Sequence, residues 1–201
     1  MRRRLKSMTR AERPTLEQIE RELARRENVS RYAKAFRITI VTLIVVVAVA
    51  VLVATLWLPV LKISGTSMTP SLSEDEIIVV LKASDFECGE IVAFYYNNKI
   101  LLKRVIAGAG DWIDFDDDGN VYVNNVMVDE PYAVDKGEGN CDIEFPYQVP
   151  DGCWFVLGDH RSTSIDSRSS EVGCVKDEDM LGRIFCRIYP FKKISFFKRN
   201  S

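Results

Sequence analysis

The 201-residue sequence predicts a mainly β domain, barrel-like or built of packed antiparallel sheets, anchored by one N-terminal transmembrane helix. Three observations carry this. Residues 38–58 are uncharged and apolar apart from three threonines. Beyond residue 60, short segments rich in β-branched and aromatic residues alternate with turn residues. No long helical period and no internal repeat follows the apolar run.

The net charge of −2 conceals an asymmetry. Residues 1–37 carry 12 Lys/Arg against 5 Glu, residues 59–201 carry 15 basic and 24 acidic side chains, and the run between has none. A basic head, a neutral bar and an acidic body describe an anchored protein and argue against a nucleic-acid binder. The body, roughly 140 residues, is long enough to bury its own core. The expected division is a cytoplasmic basic tail with a short helix (1–37), a membrane helix (38–58) and an extracytoplasmic domain (59–201).

Residues 1–13 read as a solvated basic tail. A short helix is expected from Pro14 and Thr15, with Gln18 placed for a capping box, Leu16, Ile19 and Leu23 at helical spacing, and a Glu22/Arg26 pair one turn apart. The 21 residues from Ile38 to Leu58 reach about 31 Å as a helix, which matches a hydrocarbon core of about 30 Å. The run starts too late and ends in Trp57-Leu58-Pro59 without a small-residue cleavage site, so it reads as a permanent span rather than a cleaved leader. Arg31, Lys34 and Arg37 precede it and Lys62 stands alone after it, which predicts a cytoplasmic N-terminus in the plasma membrane and a body outside. Only a short connector then separates the span from Gly65 and Ser67.

Strands are expected at Glu76–Leu81, Ile91–Tyr95, Ile100–Ile106, Cys153–Leu157 and Arg183–Tyr189, with a hairpin joining Trp112–Asp114 to Val121–Val123 through Asp117-Asp118-Gly119-Asn120. Asp129 to Gly152 reads as a loop-rich excursion, with one hairpin as a further possibility. The acids at 111, 114 and 116–118 lack the spacing of a calcium loop, and no Cys/His spacing suggests zinc, so neither metal nor cofactor is expected. Five cysteines allow Cys141–Cys153 and Cys174–Cys186 bridges on spacing alone, and the odd count leaves one thiol over. Pro190–Arg199 mixes aromatics with cations and reads as a closing strand and tail, or as a segment resting on lipid.

Three stretches could carry chemistry. In Ile63–Leu72, a small-residue turn presents Ser67, and Pro70 stops any regular continuation. A serine hydroxyl needs a base. The single histidine, His160, is one choice. Lys103 is the other, since the apolar strand around it would disfavour the ammonium, and Arg104 would add to the effect if close in space. The third stretch, Gly158–Arg168, follows a strand and is crowded with polar groups able to hold a lysine and a backbone in place.

Together these stretches resemble bacterial type I signal peptidases, in the Gram-positive form with a single span. Ser64-Gly65-Thr66-Ser67-Met68-Thr69-Pro70 matches the family's serine box, Lys103-Arg104-Val105-Ile106 through Gly110-Asp111 its lysine box, and Gly158-Asp159 through Arg168 its last box. Cys88–Phe94 fits the intervening box, with Cys88 where a basic residue is more usual, and His160 stands where asparagine is typical. The resemblance implies a membrane-bound serine endopeptidase that removes signal peptides from exported preproteins after a small-x-small site. Ser67 would be the nucleophile and Lys103 the general base. Ser164 would hydrogen-bond the lysine, and Asp166 and Arg168 would brace the site. The Ser67 backbone N–H would hold the oxyanion. Gly65 occupies the position where some members place a second donor, leaving Ser64, water or a backbone group for that task. The preprotein segment would pair with Leu61–Thr66 and Lys99–Leu102, its side chains entering shallow pockets walled by Ile63, Met68, Leu72, Leu101 and Leu102. Implied partners are preprotein signal peptides, membrane lipid and, as a further possibility, the export machinery. A narrower Ser-Lys processing peptidase and an inactive anchored peptide-binding module remain the competing readings.

Overall fold

The computed structural model describes residues 16–137 and 139–197. One helix, α1, runs without a break from Leu16 to Trp57. The expected short cytosolic helix and separate span are thus one element of about 63 Å. The reason is local: no Gly or Pro occurs between Thr15 and Leu58, and the connecting residues are mostly good helix formers. Pro59 then ends it. Its Arg31–Trp57 portion contains an 18-residue window with a mean hydropathy of 3.0, is exposed along its length, and is long and apolar enough to cross a membrane. The basic tail 1–13 lies outside the described residues, as do the side chains of the expected Glu22/Arg26 pair.

Beyond α1 the chain is mainly β, with short 3-10 turns at Asp177–Asp179 and Phe191–Lys193. In chain order its strands are β1 (Val60–Lys62), β2 (Ile77–Leu81), β3 (Ile91–Tyr96), β4 (Lys99–Ala107), β5 (Trp112–Phe115), β6 (Val121–Val123), β7 (Val126–Met127), β8 (Tyr147–Gln148), β9 (Cys153–Leu157), β10 (Val175–Lys176), β11 (Met180–Tyr189) and β12 (Ser195–Phe196). The larger sheet runs β1-β2-β11-β3-β4-β9-β10 with β12 on β11, and the smaller runs β7-β6-β5-β8. Every pairing is antiparallel. The larger sheet is an open path with β1 and β10 at its ends, so the packed-sheet form of the expectation describes it and closure into a barrel does not.

The larger sheet is buried on both faces at its centre. In β3, Ile91 and Ala93 join one cluster with Met68, Leu72 and Val80, while Val92 and Phe94 join another with Val105 and Val156. That is why β3 reads as an unbroken apolar run instead of an alternating one. A third cluster, around Ile113, Val121 and Phe155, lies where the smaller sheet meets β4 and β9. The β3–β4 turn is Asn97-Asn98, both at positive φ, and Asn124-Asn125 repeats this between β6 and β7.

Several expectations need correction. Glu76 does not start β2; its carboxylate is buried and pairs with Arg187 at 2.9 Å. The excursion forms no hairpin of its own, contributing only β8 to the edge of the smaller sheet. The five cysteines are all thiols. Cys186 on β11 and Cys174 before β10 are kept apart by β3, β4 and β9, at least three strand spacings or about 14 Å, beyond the reach of about 7 Å that a disulfide allows. Cys141 is exposed on the excursion, bordering a cavity with Phe115 and Lys136, whereas Cys153 starts β9. At the C-terminus β12 is the closing strand, its Phe196 edge-on to Phe185, with Lys198 and Arg199 outside the described residues.

Candidate active site

The serine segment is shaped by its backbone. Ile63 is clamped by Ile63 N–H to Glu76 O (2.8 Å) and Asp75 N–H to Ile63 O (3.0 Å). Gly65 takes φ +94°, a conformation that a side chain would strain. Tight turns follow, with Thr69 N–H to Thr66 O at 3.0 Å and Leu72 N–H to Met68 O at 2.9 Å. Ser67 is left half-buried at the lip, while Met68 and Leu72 fix the turn into the core.

Lys103 approaches from β4. Its Nζ lies 2.9 Å from Ser67 Oγ and 2.9 Å from Ser164 Oγ. The residue is only 3% exposed. Burial is the main reason that its pKa falls from 10.5 to about 8; the Asp166 carboxylate opposes the fall, the Arg168 guanidinium adds to it, and Asp159 opposes it. Arg104, the expected helper, is not the cation responsible. Successive strand residues face opposite ways, and Arg104 is taken up by Asp159 (Nε–Oδ1 2.9 Å, Nη2–Oδ2 2.6 Å). It also donates to Gly89 O at 2.7 Å and Ser71 Oγ at 3.1 Å.

The third stretch folds over this pair as a buried polar loop. Asp166 is fully buried, accepting from Arg168 Nε at 2.9 Å and from the Gly158 N–H at 3.0 Å. Arg168 Nη2 donates to Asp166 Oδ2 as well, at 3.1 Å, and the guanidinium also reaches the backbone oxygens of Gly137 at 3.1 Å and Arg161 at 2.7 Å. The His160 N–H donates to Ser67 O at 3.0 Å, pinning the serine turn from behind. The imidazole itself turns away to Asp135, 3.3 Å distant. Position 158 tolerates only glycine: a Cβ there would stand 2.2 Å from Ser164 Oγ and 2.7 Å from Ser67 O.

A cleft of about 140 Å³ opens in front of Ser67, lined by Leu61–Gly65, Met68 and Ile100–Lys103. Of the five residues expected to wall it, Ile63, Met68, Leu101 and Leu102 do so. Leu72 does not; it is fully buried in the core beneath Met68, because the turn after Ser67 carries it inward. Sequence reading left three contributors without a role: Asp159, Arg161 and Glu130, whose charges are all buried. Asp159 and Arg161 lay inside the Gly158–Arg168 stretch, but nothing in the sequence marks Glu130 as their neighbour.

Comparison with known proteins identifies the family. The sequence model of the family described as "Signal peptidase, peptidase S26" matches residues 36–189. Signal peptidase I of Bacillus caldolyticus is 38% identical over 151 residues, covering 67% of this chain and 81% of the relative. Signal peptidase I U of Bacillus subtilis (strain 168) is 31% identical over 173 residues, 79% of this chain and 91% of its own. Among solved structures, a signal peptidase I from Enterococcus faecalis V583 is 30% identical, covering 49% of this chain and 96% of its own, at a TM-score of 0.42. The chain therefore belongs to the signal peptidase family, peptidase S26, and is a serine endopeptidase that cleaves signal peptides from preproteins.

Proposed function

We propose that the protein cuts exported preproteins after a small-x-small site with Ser67 as nucleophile and Lys103 as general base. The observation that carries this is a buried amine, its pKa drawn down to about 8, at 2.9 Å from a serine hydroxyl that opens on a cleft. The neutral amine takes the Ser67 proton as Oγ attacks the scissile carbonyl, and returns it to the departing amine. Water then attacks the acyl-serine, Lys103 accepting its proton and passing it to Ser67 Oγ as the acyl–Oγ bond breaks and the carboxyl product leaves. Ser164 holds the amine in line. Asp166 and Arg168 fix the loop that carries Ser164, and the Ser67 N–H faces the developing oxyanion, with the Ser64 hydroxyl a second donor.

Specificity follows from the strand edges. Residues 99–103 of β4 pair with β3 alone, since pairing with β9 begins at Arg104, and β1 pairs only with β2. The two unpaired edges flank the cleft, so an extended substrate can add as a strand between them. The cleft is walled by apolar Ile63, Met68, Leu101 and Leu102, which would receive the small side chains flanking the cleavage point. No metal or cofactor enters this chemistry.

The basic residues before the apolar stretch and the lone Lys62 after it support a plasma-membrane protein with its N-terminus in the cytoplasm and its β domain outside. Exposed Phe191 and Phe196 beside Lys192 and Lys193 suit lipid contact, and the export machinery is the expected supplier of substrate. The test is cleavage of a preprotein by the full chain in detergent or lipid. Ser67→Ala and Lys103→Ala should each abolish it while His160→Ala largely spares it. Turnover surviving in Lys103→Ala refutes the mechanism, and binding of the preprotein without turnover by the unmodified protein would mark an inactive peptide-binding module.

A further inference from the structure

The Glu130-Pro131-Tyr132 stretch lies in the loop-rich excursion, far in sequence from Ser67 and outside the cleft lining. Two of its side chains nevertheless enter the polar network behind the site. Glu130 is buried and forms an ion pair with Arg161, the two side chains being 2% and 1% exposed. Arg161 Nε donates to Gly158 O at 2.9 Å. The Gly158 peptide is thus gripped at both ends, its carbonyl by Arg161 and its N–H by Asp166. It packs so closely on Ser164 Oγ and Ser67 O that not even a methyl group fits between. Tyr132 reaches the other side of the network: its ring lies 3.8 Å from the Arg104 guanidinium, and its hydroxyl donates to Glu130 Oε1 at 3.1 Å. The backbone keeps step, with Val134 N–H to Asp159 O at 3.3 Å and a bridge between Asp135 and His160.

A buried ion pair is poor value as a stabiliser, because removing two charges from water costs several kcal/mol per ion. Here it is also incompletely satisfied: Glu130 Oε2 and Arg161 Nη1 have no partner among the described residues. What such a pair does supply is one fixed arrangement of the groups it touches. We propose that Glu130 and Tyr132 are positioning residues of the catalytic centre. Glu130 acts through Arg161 on Gly158, and Tyr132 through Arg104 on Asp159, so that Ser164 and Ser67 stay in register with Lys103. The inference rests on the Ser67–Lys103 reading given above.

The test separates positioning from stability by replacing both members of the pair with apolar residues, since such swaps are often neutral or stabilising. The Glu130→Leu/Arg161→Met protein, full chain in detergent, is assayed on a synthetic preprotein peptide with an Ala-x-Ala site. Its thermal midpoint should stay close to that of the unmodified protein. Its kcat should fall about tenfold or more while KM stays within about twofold, because the cleft lining is untouched. Tyr132 provides an independent arm on a less buried residue. Tyr132→Leu should lose about tenfold in kcat, and Tyr132→Phe, which keeps the ring on Arg104, should retain most of it. A folded double variant with unaltered kcat overturns the proposal, as do Tyr132→Leu and Tyr132→Phe proteins that turn over alike. If the double variant does not fold, the Tyr132 pair decides. Lys103→Ala separates the two levels of the argument: residual turnover there refutes the dyad itself. An inactive Lys103→Ala beside fully active Glu130/Arg161 and Tyr132 variants refutes only the positioning roles.

Discussion

Replacing Lys103 by methionine should destroy activity and make the protein more stable at neutral pH. The side chain is 3% exposed, and its pKa falls from 10.5 to about 8 chiefly through burial. At about 1.36 kcal/mol per pH unit, holding the ammonium in the folded protein costs about 3 kcal/mol. The pH course has a definite sign. Below pH 8 the lysine is protonated whether folded or unfolded, and the full cost is present. Between 8 and 10.5 the folded protein has released its proton while the unfolded chain keeps it, so the unfolded state binds more protons and stability rises with pH. Above 10.5 the gain is complete. Lys103→Met has no such slope. It does leave the Ser67 and Ser164 hydroxyls short of a partner, at about 1 kcal/mol each. The net advantage at pH 7 is therefore about 1 kcal/mol, or about 2–4 °C in Tm for a chain of this size. The assay is thermal unfolding of both proteins from pH 6.5 to 10.5, following near-ultraviolet signals of the β domain. Other groups titrate in this range, but they are common to both proteins and cancel in the difference. A variant less stable at pH 7, with a difference that does not change above pH 8, would refute the reasoning.

The same titration governs rate: kcat/KM should rise about tenfold per pH unit below 8 and level off above it, as pH-rate profiles in a pH-stable detergent will show. Gly158→Ala should lower kcat by about 100-fold, because the added Cβ forces apart Ser164 and the Ser67 carbonyl; steady-state cleavage at saturating peptide reads this directly. At His160 the backbone and side chain should separate. His160→Ala keeps the N–H to Ser67 O and should stay within about threefold of the unmodified rate, whereas His160→Pro removes that donor and should lose about 100-fold.

The strands were legible where composition is unambiguous. Ile91–Tyr96 and Lys99–Ala107 match their sequence signals to within a residue or so, since β-branched and aromatic residues suit a pleated surface buried on both faces. The Asn97-Asn98 and Asn124-Asn125 turns are harder to read, because asparagine is a weaker sign of positive φ than glycine. The continuity of the helix is masked in sequence: polarity changes sharply at Ile38, but helix propensity does not change with it. At the site, Ser67, Lys103, Ser164, Asp166 and Arg168 could be nominated from sequence, and the structure gathers them behind one cleft. The facing of Arg104 was a matter of strand alternation and was recoverable. Leu72 was not, because whether a residue five places after the nucleophile lines a pocket or fills the core depends on how tightly the intervening turn is wound. Nor was Glu130, whose partnership with Arg161 spans 31 positions and leaves no local pattern.

Why the lysine stands at position 103, rather than two residues either way, follows from the register of β4. Its first residues are exposed and partly buried, and full burial begins at Lys103. Pairing with β9 begins one residue later, at Arg104. An amine two residues earlier, at the site of Leu101, would lie along the open cleft with water at hand and would keep most of its ordinary pKa. Two residues later, at the site of Val105, it would sit in a dry apolar cluster with Val92 and Val156, past the unpaired stretch of β4 that borders the cleft. Position 103 is where the strand is covered enough to disfavour the ammonium and still has a free edge facing Ser67. The buried charges of Asp159, Asp166 and Arg168 are tolerable for the same reason: the two-sided sheet beneath them supplies apolar burial that offsets their desolvation. Activity and fold therefore meet at a single boundary in β4, and a change that moved the β4–β9 register by two residues would silence the enzyme without touching either Ser67 or Lys103.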